Sequence, residues 1–461
     1  MKKGMDSMKY KETLIIFGIV ILFLPIFFER IYDDEAIYWS LSNSIIANGL
    51  SEVAYIGRMP FAMLLASLFM NLNDSIFVPR ILSALFAIGS SIIIFEISKI
   101  YSNEKAAFIS SILFIFSFQA IRFGTRFYLD IYGVFFFLLS VYLIKKNKIG
   151  ISGLSFALAI LSRETWVGLY PFMILYLWKN KKPVGSFIIQ SFIPILIFFV
   201  PIQMTTGVVD YLGRSAFAQD TSYLSENLYQ IPLYLAQSWI EFSVIHIITL
   251  LGFISWIFYK RDDLLIIILP QFLLLSLIQG FIYNGALTQY AMGIQASMAL
   301  FAGPGLFILW KKYFRSYPLQ LSITLILVIQ LLLFSYLATS LSLRGSLGVH
   351  DFGYWYDEEV ITLLNQKAGN ETIAGFHGAF IKGAKEWVWY ERNVDEVLSM
   401  EPDWYIIVEP KLIDFKTDPE NTKQVEVYNI GPYIILHSHP PGHMHELIEP
   451  SKEFKKWMFR S

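Results

Sequence analysis

The stretch that decides the fold runs from Thr13 to Trp39 and reads TLIIFGIVILFLPIFFERIYDDEAIYW. It joins an apolar run ending at Phe28 to three consecutive carboxylates, Asp33, Asp34 and Glu35. Carboxylates beside a membrane span are costly to keep near lipid, which favours a functional role for them. The alternative is a solvated helix start, because the helix dipole stabilises acidic residues in a first turn. The residue types alone leave both interpretations open.

The composition is typical of an integral membrane protein. Of the 461 residues, 55% are hydrophobic and 17% aromatic, whereas only 16% are charged. Soluble domains carry nearer 25% charged residues. The sequence has no cysteine, which excludes disulfides, thiolate catalysis and cysteine-ligated metal sites. The net charge of −1 gives no indication of nucleic-acid binding. No small-residue cleavage site follows the first apolar run, so we expect that run to be retained as a span.

Apolar segments of membrane-spanning length recur along residues 1–340. A helix crosses the bilayer with roughly 20 apolar residues, and with fewer where it is short or re-entrant. We predict about eleven spans on this basis: 13–28, 77–98, 106–121, 131–144, 149–162, 166–178, 184–203, 239–259, 264–282, 290–310 and 318–338. The patchy hydrophobicity of 36–48 and 60–72 has a helical period and predicts amphipathic helices on the outer membrane surface. Residues 1–340 are therefore predicted to form an all-α polytopic membrane domain.

The distribution of Lys and Arg predicts the orientation. Up to residue 338, every Lys lies in a predicted inner segment, which places the N-terminus in the cytosol. An odd number of spans then places the C-terminus outside the cell. The basic residues of the predicted outer loops are all Arg, namely Arg30, Arg58, Arg80, Arg122, Arg126, Arg163 and Arg214. The guanidinium fork suits phosphate and carboxylate, so we expect an anionic ligand at the outer face. The alternative is that each Arg snorkels or pairs with a nearby acid.

Residues 341–461 are predicted to form a small α/β domain outside the membrane. We predict two helices and four strands there: helices 357–368 and 394–400, and strands 373–376, 404–408, 424–428 and 433–437. Four histidines also lie close together near the end of the chain: His437, His439, His443 and His445. They are open to two interpretations, a metal site and, as the commoner outcome, exposed loop residues.

An ordered set of motifs runs from residue 13 to about 310. After Asp34-Glu35 come Arg58-Met59-Pro60-Phe61, Pro79-Arg80-Ile81-Leu82-Ser83-Ala84-Leu85, Arg122-Phe123-Gly124-Thr125-Arg126-Phe127-Tyr128-Leu129-Asp130, Leu161-Ser162-Arg163-Glu164-Thr165 and Thr288-Gln289-Tyr290. In order and spacing this set resembles the GT-C superfamily of integral-membrane glycosyltransferases. It looks most like the branch that holds the protein O-mannosyltransferases and the lipid A aminoarabinose transferase.

The resemblance implies transfer of a sugar from a polyprenyl-phosphate donor, of the dolichyl-phosphate type, at the outer membrane face. By this resemblance Asp34 of the Asp34-Glu35 pair is the acidic residue that takes part in catalysis, and Asp130 is a second carboxylate of the site. Arg58 and Arg163 match the positions that hold the donor phosphate. The acceptor, whether protein, lipid or glycan, is not implied, and a divalent cation is left open.

The residues themselves fit this chemistry. A hydroxyl acceptor needs a general base, and a carboxylate in a cleft can take that role. If residues 122–130 form one helix, Arg122, Arg126 and Asp130 lie on a single face. The departing phosphate gains charge that fixed guanidinium groups stabilise.

Two positions depart from the family pattern. Arg58-Met59-Pro60 stands where Lys followed by two prolines is frequent, and Gln289 precedes Tyr290 where Arg is usual. Gln289 and Tyr290 are nevertheless counted with the predicted donor-binding set. Two other function classes stay open on the sequence. One is a transporter or flippase for a lipid-linked or anionic substrate, which would more often show internal repeats. The other is a non-catalytic subunit of a surface-glycan assembly complex.

Overall fold

The structure is a computed structural model. It describes residues 2–29, 31, 33–49, 59–73, 75–205, 243–260, 262–271, 291–313, 354–369, 371, 373–375, 387–388, 403–407, 413–415, 425–431, 433–438 and 448–450. The chain divides into two compact units, the first made of residues 1–27 and 41–351 and the second of residues 28–40 and 352–461. The acid-bearing stretch therefore groups with the C-terminal part of the chain.

The described part of the membrane region is helical. Its helices are α1 (Lys2–Gly18), α2 (Leu24–Ile26), α3 (Asp33–Asn48), α4 (Phe61–Met70), α5 (Phe77–Tyr101), α6 (Glu104–Ile115), α7 (Phe118–Gly124), α8 (Leu129–Lys145), α9 (Ile149–Ser162), α10 (Tyr170–Lys179), α11 (Val184–Thr205), α12 (Ser243–Tyr259) and α13 (Ala291–Tyr313). A π-helical turn, Ile19–Phe23, joins α1 to α2, and a 3-10 helix, Glu164–Leu169, precedes α10. The predicted surface helices 36–48 and 60–72 correspond to α3 and α4.

The chain is membrane-embedded. Among the described residues, two helices are long and apolar enough to cross a bilayer, Phe77–Tyr101 and Met292–Lys312. A third candidate is the pair α6 and α7, which bends by 59° at the break between them. Shorter apolar helices accompany them at 61–70, 149–162, 184–200 and 245–259. The total of about eleven spans stays a prediction, because segments such as 272–290 and 314–353 lie outside the described residues.

Glycines allow close helix packing in the core of the first unit. A Cβ atom on Gly303 would lie 1.9 Å from the Ala106 backbone oxygen, and one on Gly305 would lie 1.8 Å from the Gly252 oxygen. Only glycine fits at such contacts, and small residues are typical where membrane helices approach closely. Helices α6, α12 and α13 are thereby packed backbone to backbone, which fixes the frame on which α7 and α8 lie.

Besides the start of α3, the described residues of the second unit form a helix, α14 (Tyr354–Lys367), and seven short strands. The strands are β1 (Ile373–Gly375), β2 (Trp387–Val388), β3 (Trp404–Ile407), β4 (Ile413–Phe415), β5 (Val425–Ile430), β6 (Tyr433–Ser438) and β7 (Ile448–Pro450). Five of them form a mixed sheet in the order β2-β1-β3-β6-β5, and β4 pairs with β7. In the mixed sheet β1 is parallel to β2 and β3, whereas β6 is antiparallel to β3 and β5. The four predicted strands are found as β1, β3, β5 and β6, and the predicted helix 394–400 lies outside the described residues.

Candidate active site

The site predicted between the third and fourth spans lies where α7 ends and α8 begins. Ser117 starts α7, because its hydroxyl accepts a hydrogen bond from the Ala120 N–H at 3.3 Å. The helix ends at Gly124, where a Cβ atom would lie 3.0 Å from that of Ala87. Tyr128 then has extended backbone (φ −121°, ψ 140°), and α8 follows with Asp130 in its first turn. Residues 122–130 do not form one continuous helix, so the condition for placing Arg122, Arg126 and Asp130 on a single helix face is not met; residues 125–128 form a turn between two helices.

Asp130 pairs with Arg163. The Arg163 Nε lies 3.2 Å from the Asp130 Oδ1, and the two side chains are 1% and 6% exposed. Because α8 and α9 form a hairpin, the start of α8 and the end of α9 lie at the same end of the pair. The turn that follows Arg163 is anchored by Trp166, which stacks on Phe137 with ring centroids 4.7 Å apart. A buried carboxylate and guanidinium are thus held together from two consecutive helices.

Arg122 and Arg126 lie at this same end of the helices. Arg126 is 1% exposed and lies in the turn between α7 and α8. Arg122 is also buried, and its guanidinium lies over the rings of Phe118 and Phe123, 5.6 and 5.7 Å from their centroids. With Arg163 this end of the bundle carries three buried guanidinium groups. Such a concentration of guanidinium groups suits a phosphate or carboxylate ligand, because the planar fork of donors matches those groups.

The described buried charges at this end of the bundle are of both signs. Asp130 and Glu164 are the buried carboxylates in the two turns, against Arg122, Arg126 and Arg163. Guanidinium groups bind phosphate through paired N–H donors, which is the chemistry predicted for this end of the bundle. The structure therefore places three of the predicted donor-binding residues and one predicted carboxylate in one polar region.

The acid pair of the first loop lies in the second unit. Asp34 and Glu35 are the second and third residues of α3, and Glu35 is fully buried. The side chain of Asp34 lies outside the described part of the chain, as do all of Arg58, Gln289 and Tyr290. Among the described residues no group of three or more His, Asp or Glu side chains is arranged to hold a metal ion.

His437 is not the exposed loop residue that was expected. It lies on β6, is 6% exposed and stacks on Trp404 with ring centroids 3.8 Å apart. Its Nε2 lies 3.2 Å from the Glu371 Oε2. This packing gives His437 a structural role, because alternation along β6 turns its ring toward Trp404 on β3. His439, His443 and His445 lie outside the described residues.

Two further buried groups lie near the site: Arg80, which was predicted only as one of the outer-loop Arg residues, and His246, which was not predicted. Arg80, on α5, is fully buried and donates from Nη1 to the Ile26 carbonyl at 2.9 Å, where α2 ends. His246, on α12, lies 2.6 Å through Nε2 from the Gln119 Oε1 on α7. A cation at a helix C-terminus is stabilised by the helix dipole. Arg80 and His246 could both have been found in the sequence, because each is a polar residue inside an apolar run.

The chain is similar to GT-C glycosyltransferases. Residues 58–206 match the family model described as dolichyl-phosphate-mannose-protein mannosyltransferase. No curated protein sequence matches the chain. The matched segment holds α4 to α11, and with them Arg122, Arg126, Asp130 and Arg163.

Solved structures extend the similarity to most of the chain. The structure of ArnT from Cupriavidus metallidurans bound to undecaprenyl phosphate has a TM-score of 0.66 at 11% identity and covers 93% of this chain and 97% of that chain. Its apo state gives a TM-score of 0.65 at 10% identity, over 94% and 98% of the two chains. The Archaeoglobus fulgidus oligosaccharyltransferase in complex with zinc and sulfate has a TM-score of 0.59 at 11% identity, over 87% of this chain and 68% of that chain. The chain therefore shares the fold of ArnT and of the archaeal oligosaccharyltransferase, and the resemblance predicted from the sequence is confirmed.

Proposed function

We propose that the protein is a glycosyltransferase that moves a sugar from a polyprenyl-phosphate donor to an acceptor at the outer face of the plasma membrane. The observation that carries the proposal is the buried group of Arg122, Arg126 and Arg163 beside Asp130. It lies within the segment that matches the mannosyltransferase family model, and the similar ArnT structure is described with undecaprenyl phosphate bound. A lipid phosphate has the chemistry that a group of guanidinium donors recognises, and it would enter from the bilayer.

The guanidinium groups would hold the donor phosphate and stabilise the charge that develops on it as the glycosidic bond breaks. Arg58, Gln289 and Tyr290 would complete the phosphate site. Asp130, paired with Arg163, would orient that guanidinium and supply a second carboxylate to the site.

Asp34 would act as the general base. It would take the proton of an acceptor hydroxyl as the oxygen attacks the anomeric carbon, and the polyprenyl phosphate would leave with the bridging oxygen. Glu35 is the next residue of the same helix and points about 100° away, so the two carboxylates have different roles. Glu35 would then be structural or would bind the acceptor.

The proposed arrangement has a cytosolic N-terminus and an extracytosolic C-terminal α/β domain. The support is the placement of every Lys up to residue 338 in segments assigned to the inner face. A donor whose sugar is displayed on the outer leaflet would then reach the Arg group from the outer side.

Mass spectrometry of surface glycans and glycolipids tests the proposal in cells. We expect a sugar residue to be missing when the gene is deleted and to return with the wild-type gene. It should not return with Asp34→Asn, because general-base catalysis is worth roughly 10²–10⁴ in rate. Lys179→Ala is the control, since Lys179 forms an exposed ion pair with Asp263 elsewhere in the bundle. Unchanged glycans on deletion of the gene would contradict the proposal that the protein is a glycosyltransferase. Full rescue by each of Asp34→Asn, Glu35→Gln and Asp130→Asn would also contradict it.

A further inference from the structure

Asp357 connects two parts of the second unit: residues 352–461, here called the C-terminal unit, and residues 28–40, which carry the acid pair. It lies in the first turn of α14 and is fully buried. Its Oδ2 accepts a hydrogen bond from the backbone N–H of Ile31 at 2.8 Å. Its Oδ1 accepts a hydrogen bond from the hydroxyl of Tyr433 on β6. Both carboxylate oxygens are therefore engaged by groups that are far away in the sequence.

The anchored backbone stands immediately before α3. Ile31 precedes the first residue of that helix, Asp33, by two positions, and Asp34 and Glu35 follow in the first turn. Ile31 is itself 3% exposed, so the bond is shielded from water. A hydrogen bond to a buried carboxylate is roughly twice as strong as one between neutral groups. The start of α3 is thus fixed by a side chain of the C-terminal unit.

Tyr433 makes this anchor rigid. It is the first residue of β6 and is 1% exposed. The strand is paired on both sides, with β3 and with β5. The Asp357 carboxylate is therefore braced by the centre of the sheet while it holds the backbone of residue 31. In agreement with this anchor, residues 28–40 belong to the same compact unit as residues 352–461.

We infer that Asp357 is a positioning residue for the acid pair, and that the C-terminal unit is part of the catalytic machinery. This inference rests on the proposed function, in which Asp34 is the general base. Loss of the anchor displaces the first turn of α3, and a misplacement of about 1 Å at a reacting group can cost on the order of 10²-fold in rate. The Arg group belongs to the first unit and is untouched by this change, so the affinity for donor phosphate is retained.

The test compares Asp357→Ala, Asp357→Asn and Tyr433→Phe in the purified, full-length protein. We expect Asp357→Ala to lower kcat by about 10- to 100-fold and to leave the Kd for undecaprenyl phosphate within about twofold. Asn keeps one acceptor oxygen but loses the charge and the second acceptor, so Asp357→Asn should be intermediate. Tyr433→Phe keeps the Ile31 bond and should lose less than about threefold. Glu426→Gln is the control, because Glu426 lies on β5 of the same sheet and is exposed.

The mobility of a spin label is a second measurement, which does not depend on transfer activity. The chain has no cysteine, so a single Ser40→Cys change places one label on α3. We expect the label to gain mobility in Asp357→Ala and to stay as in the parent protein in Glu426→Gln. Unchanged label mobility in Asp357→Ala would overturn the anchor even if no transfer assay succeeds.

A parallel loss of kcat and of donor affinity would also overturn the inference, since it would mean general unfolding. If Asp357→Ala does not fold, the test is the comparison of the other two variants, in which we expect kcat to be lower for Asp357→Asn than for Tyr433→Phe. Equal kcat in those two variants would then contradict it. Absence of transfer in the parent protein, with the label still mobilised by Asp357→Asn, would instead refute the proposed function alone.

Discussion

Replacement of Asp130 by Asn removes one partner of the buried pair with Arg163. The two charged atoms are 3.2 Å apart, and both side chains are at least nine-tenths buried. Removing one member of such a pair leaves an uncompensated buried charge, which costs about 3–5 kcal/mol. We therefore expect Asp130→Asn to lower the free energy of unfolding by about that amount. Transfer should also fall, because the Arg163 guanidinium loses the group that orients it.

A double variant separates the pair from its surroundings. Replacing both members by uncharged residues, Asp130→Asn with Arg163→Met, removes the orphaned charge, and such replacements are often neutral or stabilising. Stability should then recover while donor binding stays weak. Asp263→Asn is the matched control, because its partner Lys179 lies 2.6 Å away but both side chains are about half exposed. Exposed pairs contribute roughly 0–1 kcal/mol.

The assay is equilibrium unfolding of the purified protein in mixed micelles, with donor affinity measured on the same samples. A cost in Asp130→Asn no larger than that in Asp263→Asn would refute the buried-pair reasoning. So would a double variant that is less stable than Asp130→Asn alone.

Three further predictions concern the donor, acid stability and orientation. Arg126→Ala should raise the donor KM with little change in the acceptor KM. The measurement is the transfer rate as a function of donor concentration, and an unchanged donor KM would contradict this prediction. The hydrogen bond from the Tyr428 hydroxyl holds the pKa of Glu426 below its ordinary value of 4.5, so that carboxylate stabilises the folded C-terminal unit above pH 4.5 and loses this effect as the pH falls further. Tyr428→Phe should make unfolding of that unit less acid-sensitive, and an unchanged pH profile by circular dichroism would count against it. A reporter fused after Ser461 should read extracytosolic and one in 145–148 cytosolic, and the reverse would remove the outer-face assignment.

The helices of the bundle could be predicted because their apolar runs are long. The fragments α5 and α13 meet the length and apolarity of a span directly. The bend between α6 and α7 was not predicted, since it lies inside the apolar run 106–121 and depends on the local backbone at residues 116 and 117, which an apolar pattern does not encode. Side chains such as Arg122 were still identified, because a basic residue between two apolar spans is recognised from its type and position, without knowledge of the local backbone conformation.

Pairings between distant residues were less accessible to the sequence. The contact of Asp130 with Arg163 follows from the hairpin of α8 and α9, which the short turn after Lys145 makes plausible. The contact of Asp357 with Ile31 spans 326 positions, and nothing local to either residue indicates it. For the same reason the C-terminal unit looked like an appendage, whereas the structure joins it to the acid-bearing stretch.

Transfer by the purified protein tests the central claim most directly. The protein is reconstituted in liposomes with a set of undecaprenyl-phosphate-linked sugars and with an envelope extract from cells that lack the gene, with and without a chelator. Mass spectrometry then follows release of undecaprenyl phosphate and the gain of one sugar by an acceptor. We predict that one donor is consumed by the wild-type protein, that Asp34→Asn loses roughly 10²–10⁴ in rate, and that Asp34→Asn still binds undecaprenyl phosphate. Movement of an intact donor across the bilayer without sugar transfer, or full turnover by Asp34→Asn, would contradict the account.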